Sequence, residues 1–388
     1  MPSSNMLSAK KLKIGLVLDT SLDQPDGVQQ YVITIGEWLR SQKHDVHYLV
    51  GESNRTDLKN VRSLARNIGV RFNGNRTTIP LPTSKGKLQK FLDDEQFDVL
   101  HVQMPHSPFM AQKLILSASD TTAVIGTFHI APYNRTVSIG NKLLGFWLKP
   151  SLRRFDQIVS VSSAAASFAE VSFGIKTTVL PNVIDHKRFN SAIPLPAYEN
   201  NRINILFLGR LVPRKGCELL LQSIKLLSKQ NGLPPFHVII CGKGPLAPKI
   251  RKYITKNKLQ EYVTLVGFVS EEDKPGYYAS ADISVFPSSG GESFGIVLLE
   301  AMASGKAAVL AGDNPGYHTV MSPKQELLFD PYNANALSDL LGQYVRHAKV
   351  RERAQNWGEK YAKDFDVTVV GEKLEAIYDQ ALRKRRQQ

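Results

Sequence analysis

Short apolar runs of strand length recur along this chain, each separated from the next by a longer segment with helical spacing. Residues 13–19 (KIGLVLD) form the first run, and 46–50, 99–103, 124–128 and 158–162 repeat it. Between the first two, after a loop holding Pro25, Asp26 and Gly27, residues 28–41 carry apolar side chains at the period of a helix. Strands alternating with helices predict a parallel, doubly wound sheet. The pattern then restarts. Residues 203–209 (INILFLG) form a strand, 216–229 a helix, and 237–241, 263–266, 283–286 and 307–310 further strands. Between the halves, residues 181–200 hold three prolines and no helical period, which marks a boundary. The expected architecture is α/β: two Rossmann-like domains facing a central cleft, at 1–185 and 201–366, joined by a linker at 186–200. Residues 369–384 read as an amphipathic helix, so 367–388 is expected to pack back towards the first domain.

Composition narrows the class. The chain has 388 residues, 42% of them hydrophobic and 22% charged, which suits sizeable cores. Two cysteines, Cys217 and Cys241, build no disulfide framework and suit a reducing compartment. The first residues lack the apolar core of a secretory signal, and no apolar run approaches the roughly 18 residues of a spanning helix. A soluble protein of a reducing compartment, at most attached to a surface, is expected.

The formal charge of +14 favours anionic partners. Between positions 54 and 90 nine basic residues face one acid, Asp57. Arg55, Lys59, Arg62 and Arg66 fall on one stripe if the segment is helical, beside an apolar face of Leu58, Val61, Leu64, Ala65 and Ile68. Such a helix can lie on an anionic bilayer, or it can simply pack its apolar side on a core. Lys85, Lys87 and Lys90 extend the same basic patch. With no nucleic-acid motif and no aromatic stacking platform, nucleic acid is not an expected partner.

The chemistry is concentrated in residues 290–304, GGESFGIVLLEAMAS. Glycines open a loop before an apolar-periodic helix beginning near Phe294, and a helix N-terminus offers free amides to a diphosphate. Glu292 and Glu300 stand eight residues apart, at the mouth of that helix and about two turns into it. At that spacing both can face one ligand, or they can serve as an N-terminal cap and a solvated residue. In residues 207–216 (FLGRLVPRKG), Arg210 and Lys215 at a strand end suit anion binding.

These segments resemble glycosyltransferase family 4, retaining enzymes of the GT-B fold. GGESFGIVLLEA is similar to that family's paired-glutamate region, and FLGRLVPRKG to the segment that holds the donor pyrophosphate. CGKGP (241–245), VGFV (266–269) and YASADISVFP (278–287) follow in the family's order. The resemblance implies a nucleotide diphosphate-sugar as co-substrate, bound by Gly27, Arg210, Lys215, Gly242, Gly244, Gly267, Ser293, Phe294, Gly295 and Glu300. It implies His129, in GTFHIAP, together with Glu292, Arg210 and Lys215, as the catalytic group. Asp26 stands where the family has the first glycine of its loop, so only Gly27 carries over.

No tightly bound cofactor and no protein-held catalytic metal are implied, since no Asp-x-Asp lies in the donor motifs; Mg can accompany the free nucleotide. Asp364-Phe365-Asp366, near the end, reads as a loop.

Within the family, FDVLHVQMPHSP (97–108) and GTFH are most similar to the phosphatidylinositol α-mannosyltransferase branch. That implies GDP-mannose as donor and a lipid acceptor at an anionic membrane surface, with Gln29, Ser84 and Lys87 as acceptor contacts. The chain departs from the branch at Leu81 and Pro82, which cannot make the hydrogen bonds of polar residues. A glucosyl transfer to diacylglycerol, or to a polyprenyl-linked or soluble sugar, therefore stays open. So do a non-transferring epimerase or hydrolase and a basic nucleic-acid-binding protein.

Overall fold

The computed structural model describes residues 11–23, 26–72, 75–130 and 137–387; the side chains of 70–77 and 131–143, and the first ten residues with the signal reading made on them, lie outside what is described. The first half contains β1 (Lys13–Leu18), α1 (Gly27–Ser41), β2 (Asp45–Val50), β3 (Val61–Ser63), β4 (Asn67–Phe72), β5 (Asn75–Pro80) and α2 (Lys85–Glu95). It continues with β6 (Val99–Gln103), α3 (Met110–Ser117), β7 (Ala123–Phe128), α4 (Val137–Leu152), β8 (Gln157–Ser160), α5 (Ser163–Phe173) and β9 (Thr178–Val179). Seven strands form one sheet in the order β3-β2-β1-β6-β7-β8-β9, every pair parallel, while β4 and β5 form a separate antiparallel hairpin. β6 and β7 are buried along their whole length, as central strands covered on both faces must be.

The second half follows with α6 (His186–Asn190), β10 (Ile203–Leu208), α7 (Cys217–Leu227), β11 (Phe236–Cys241), α8 (Ala247–Lys256), β12 (Val263–Gly267), α9 (Lys274–Ala279) and β13 (Ile283–Phe286). It ends with α10 (Ile296–Ala303), β14 (Ala308–Gly312), α11 (Pro315–Met321), β15 (Leu328–Phe329), α12 (Ala334–Arg346), α13 (Ala348–Ala362) and α14 (Val367–Arg386). Its six-stranded sheet is ordered β12-β11-β10-β13-β14-β15, again parallel. Each sheet reverses its strand order once, beside β1 and beside β10, and ligand sites in such sheets open at those points, beyond the strand ends.

α14 crosses back onto the first sheet. Its Val370, Leu374, Tyr378, Ala381 and Leu382 join the same apolar core as Trp38 of α1. Gly371 permits the approach, because a Cβ there would lie 2.5 Å from the Trp38 ring. Polar contacts fix the register: His44 to Glu375 at 2.7 Å, Arg385 to Asp156 at 2.7 Å, and His101 Nδ1 to the Tyr378 hydroxyl at 2.8 Å.

Three expectations need correction. The basic stripe is not a helix: residues 61–63 add β3 to the sheet edge, and Asn60 sits at φ +57, which a right-handed helix cannot contain. Edge pairing with β2 satisfies this backbone, and Leu58 and Leu64 pack into two different cores instead of one helical face. Of the four cations, Arg55 pairs with Asp57 at 2.6 Å and Arg62 with Glu95 at 3.4 Å, while Lys59 and Arg66 are exposed. Second, the interval 186–200 is not free of helix, since Asp185 caps the short α6 by accepting from Arg188 N at 2.9 Å. Third, residues 363–365 form a single tight helical turn, not a loop, and Asp366 caps α14.

Candidate active site

Glu292 lies in the loop between β13 and α10, beyond the strand end. Its Oε1 accepts from Arg214 Nη1 at 2.7 Å, Lys215 Nζ at 2.8 Å and the Ser288 hydroxyl at 2.7 Å. Burial pushes the carboxyl up, but Lys215 and Arg214 together outweigh it and hold Glu292 below its ordinary value. The geometry rests on two glycines. Gly216 (φ +73) closes the turn that aims Arg214 and Lys215, and a Cβ there would lie 1.9 Å from the Pro287 carbonyl oxygen. Gly295 (φ +104) caps α10, where a Cβ would meet the Tyr317 ring at 2.6 Å. The helix thus starts two residues later than position 294.

Across the cleft, α1 begins at Gly27, and a Cβ there would stand 4.0 Å from Ile296 Cγ2 in the first turn of α10. Two helix N-termini therefore face one space, bringing free amides and partial positive charge. Arg210 stands exposed at the end of β10 and feels both Glu292 and Asp26. Asp26 is the N-cap of α1, accepting from Val28 N at 3.2 Å. Its place in the loop is explained by the helix start. Ser162 ties the halves together by donating to the Ser293 carbonyl at 2.6 Å.

The other wall is built on the ends of β6 and β7. His129 is buried, packs edge-on against Tyr31 at 4.9 Å, and reaches Gln103 Oε1 from Nε2 at 2.7 Å. Gln103 donates through its own Nε2 to the His101 carbonyl at 3.4 Å, which directs its oxygen at His129. His129 must therefore carry its proton on Nε2, leaving Nδ1 as an acceptor. Burial, helped by the neighbouring His101 and His106, pushes its pKa down to about 3, so the ring is neutral. Beneath it, His101 bridges Thr127 at 2.6 Å and Tyr378 of α14 at 2.8 Å.

Other predicted contacts fall differently. Phe294 buries its ring in the second core, 5.9 Å from Phe365, so only its backbone can reach a ligand. Glu300 is 4% exposed and engaged by Tyr278 at 2.9 Å and Lys274 at 3.5 Å. Gly242 and Gly244 are required by packing, because a Cβ would lie 1.9 Å from the Gly209 oxygen and 2.3 Å from that of Leu211. Gly267 (φ +90) has open space around it. Gln29 is buried and donates to Thr20 and to the Ser21 carbonyl, and its Oε1 has no hydrogen-bond partner among the described residues. Ser84 and Lys87 are exposed at the start of α2.

Sequence reasoning missed Arg214, Ser288, Gln103 and Asp19. Arg214 adjoins Lys215 in a turn whose conformation decides which of the two reaches Glu292, and both do. Asp19 ends β1 buried, accepting from Ser107 at 2.5 Å and Ala111 N at 2.7 Å; burial pushes its pKa up to about 6. Among the described residues no group of three or more His, Cys, Asp or Glu is placed to hold a metal ion.

Comparison with known proteins places the chain in a family. A model of the Glycosyltransferase Family 4 domain matches residues 25–188, and one of Glycosyl transferases group 1 matches 194–363. The phosphatidyl-myo-inositol mannosyltransferase of Mycobacterium tuberculosis (strain H37Rv) is 30% identical over 95% of this chain and 97% of its own. That of Propionibacterium freudenreichii is 29% identical over 95% and 94%. Among solved structures, a Rickettsia africae glycosyltransferase superposes with a TM-score of 0.75 at 17% identity, over 96% of this chain and 99% of that one. A sucrose-phosphate synthase from Thermosynechococcus elongatus gives 0.73 at 18% identity, over 96% and 100%. Both show the fold alone.

Proposed function

We infer the reaction from one premise: the chain belongs to the family 4, group 1 glycosyltransferases, has their GT-B fold, and is itself a glycosyltransferase. The reading proposed is transfer of mannose from GDP-mannose to a membrane lipid, phosphatidylinositol, with retention at the anomeric carbon. One observation carries the donor half: Arg214 and Lys215 converge on Glu292 in the space faced by the N-termini of α1 and α10, with Arg210 at its edge. A diphosphate is the ligand such a space favours. The acceptor half rests on the mannosyltransferase relatives and their near-complete coverage.

The chemistry follows as same-face displacement. The bond from the anomeric carbon to the phosphate oxygen breaks, and its electron pair leaves on the diphosphate. The acceptor hydroxyl oxygen bonds to that carbon on the same face and gives its proton to the departing phosphate oxygen. Arg210, Arg214, Lys215 and the two helix ends neutralise the leaving charge by preorganisation. His129 Nδ1 accepts from a sugar hydroxyl, and Glu292, locked by its three donors, orients another. Asp19, the carboxylate at the end of β1, is engaged by Ser107 and Ala111, so no nucleophile is assigned to it. Metal, if present, is read as travelling with the released nucleotide.

The test is a screen of GDP-mannose, UDP-glucose and UDP-GlcNAc over vesicles with and without phosphatidylinositol, read by mass spectrometry. A mannosylated inositol lipid supports the reading. Transfer to a soluble sugar would overturn its acceptor half, and nucleotide binding without transfer to any acceptor would overturn all of it.

A further inference from the structure

His129 is the upper rung of a polar ladder that runs down through the first domain to the C-terminal helix. Alternate residues of a strand share a face, so His101 and Gln103 of β6 stand beside Thr127 of β7 and His129 just beyond it. The register sets Gln103 opposite Thr127, and two side-chain bonds follow the same diagonal: Gln103 to His129 at 2.7 Å, and His101 Nε2 to Thr127 at 2.6 Å. Two helices close this face. Tyr31 of α1 packs edge-on against His129 at 4.9 Å and His101 at 6.5 Å, and its hydroxyl is hydrogen-bonded to Thr127. Tyr378 of α14 sets its hydroxyl 2.8 Å from His101 Nδ1. All of these side chains are buried, which strengthens each bond and makes a missing one costly.

The bonds have one consistent direction. Burial pushes the His101 pKa down to about 3, so its ring is neutral and carries a single proton. The bond from Thr127 lowers the Tyr31 hydroxyl's value, as a donor to its oxygen does, so Thr127 gives its proton there. Thr127 must then accept from His101 Nε2–H, and Nδ1 must accept from the Tyr378 hydroxyl. Without that donor the buried nitrogen is left unpaired. We propose that Tyr378 is a positioning residue of the active site, which donates to His101 Nδ1 and so fixes the ladder against which His129 is held. The C-terminal helix, 277 residues along the chain from His101, thereby shares in the catalytic wall. The inference deepens the reading of His129 as the acceptor of a sugar hydroxyl and rests on it for its purpose. The Tyr378 ring also belongs to the apolar core with Leu374, so the tests separate hydroxyl from ring.

Tyr378→Phe removes only the hydroxyl. In the full chain, nitrogen chemical shifts of His101 and His129, and the kinetics of transfer from GDP-mannose to vesicles bearing phosphatidylinositol, are compared with wild type. The variant should lose the Nε2–H preference of His101, displace the His129 resonances, and lower kcat about fivefold with KM for GDP-mannose unchanged. Thr127→Val breaks the ladder one step nearer His129 and should reproduce these effects, which keeps the test open if Tyr378→Phe folds poorly. Leu374→Ala, one turn away on the same face of α14, should lower Tm while leaving kcat and the His129 shifts as in wild type. His129 resonances or a kcat unchanged in both ladder variants overturn the proposal. So does a kcat loss in Leu374→Ala as large as that in Tyr378→Phe, which makes α14 a structural support only. The spectra need no substrate, so if GDP-mannose yields no product they decide the ladder by themselves, and the failure falls on the proposed reaction.

Discussion

Replacing Glu292 probes the centre of the donor site. Its Oε1 takes charged donors from Arg214 at 2.7 Å and Lys215 at 2.8 Å, plus the Ser288 hydroxyl at 2.7 Å. Hydrogen bonds to charged groups contribute about 1.5–3 kcal/mol each, roughly twice the neutral value. Glutamine keeps an oxygen in place but removes the charge, so it forfeits about half of two such bonds, on the order of 2 kcal/mol. Alanine leaves Arg214 and Lys215 with no counter-charge and should cost about 3–5 kcal/mol.

The dependence on pH has a definite sign. Glu292 is held below the ordinary 4.5, so its contribution is full above that value and is lost as pH falls through the lower folded value. Urea unfolding of wild type, Glu292→Gln and Glu292→Ala near pH 7 and in acid is the assay. The expected order of stability is wild type, Gln, Ala, with the gap narrowing in acid. Excess GDP should also narrow it, because a diphosphate supplies the missing negative charge. An alanine variant as stable as wild type near neutrality, or a gap indifferent to pH, would refute the reasoning.

The remaining predictions concern the supports of the site. Gln103→Leu leaves the buried His129 Nε2–H without its acceptor at 2.7 Å and should lower kcat about tenfold, whereas Gln103→Glu retains an acceptor and should largely rescue it. Nitrogen chemical shifts of His129 should report an Nε2–H tautomer in wild type and a mixture in the leucine variant. Asp19, raised from 3.8 to about 6, contributes stability in full below the lower value and loses it as pH rises through the upper, about 3 kcal/mol in all. Asp19→Asn should flatten that dependence in unfolding curves recorded across the interval. Gly216→Ala must place a Cβ 1.9 Å from the Pro287 oxygen at φ +73 and should destabilise by on the order of 3 kcal/mol, seen as a lowered Tm.

Much of the fold was legible because parallel strands buried on both faces leave unbroken apolar runs. Ile283–Phe286 and Val99–Gln103 appear in the structure with the bounds their sequence suggests. The segment at 55–66 misled for a physical reason. Its apolar positions satisfy a helical period, but pairing of Val61 with Tyr48 at the sheet edge and the left-handed Asn60 decide its conformation. The hairpin of β4 and β5 carries no strong alternation and went unseen. In the site, Glu292 and Lys215 stood out because glycines and charge sit beside them. Gln103 had no local signal, since its role exists only once β6 and β7 lie side by side. Gly242 and Gly244 were legible as glycines, but the close approach of the neighbouring loop's backbone, which leaves no room for a Cβ at either, was not.

The most direct test of the central claim is the anomeric configuration of the product formed from GDP-mannose and vesicles bearing phosphatidylinositol, read from the one-bond carbon–proton coupling at the anomeric position. An α-linked mannosyl inositol lipid is predicted, its formation lost in Lys215→Met. A β-linked product, or release of free mannose with no glycolipid, would contradict the account.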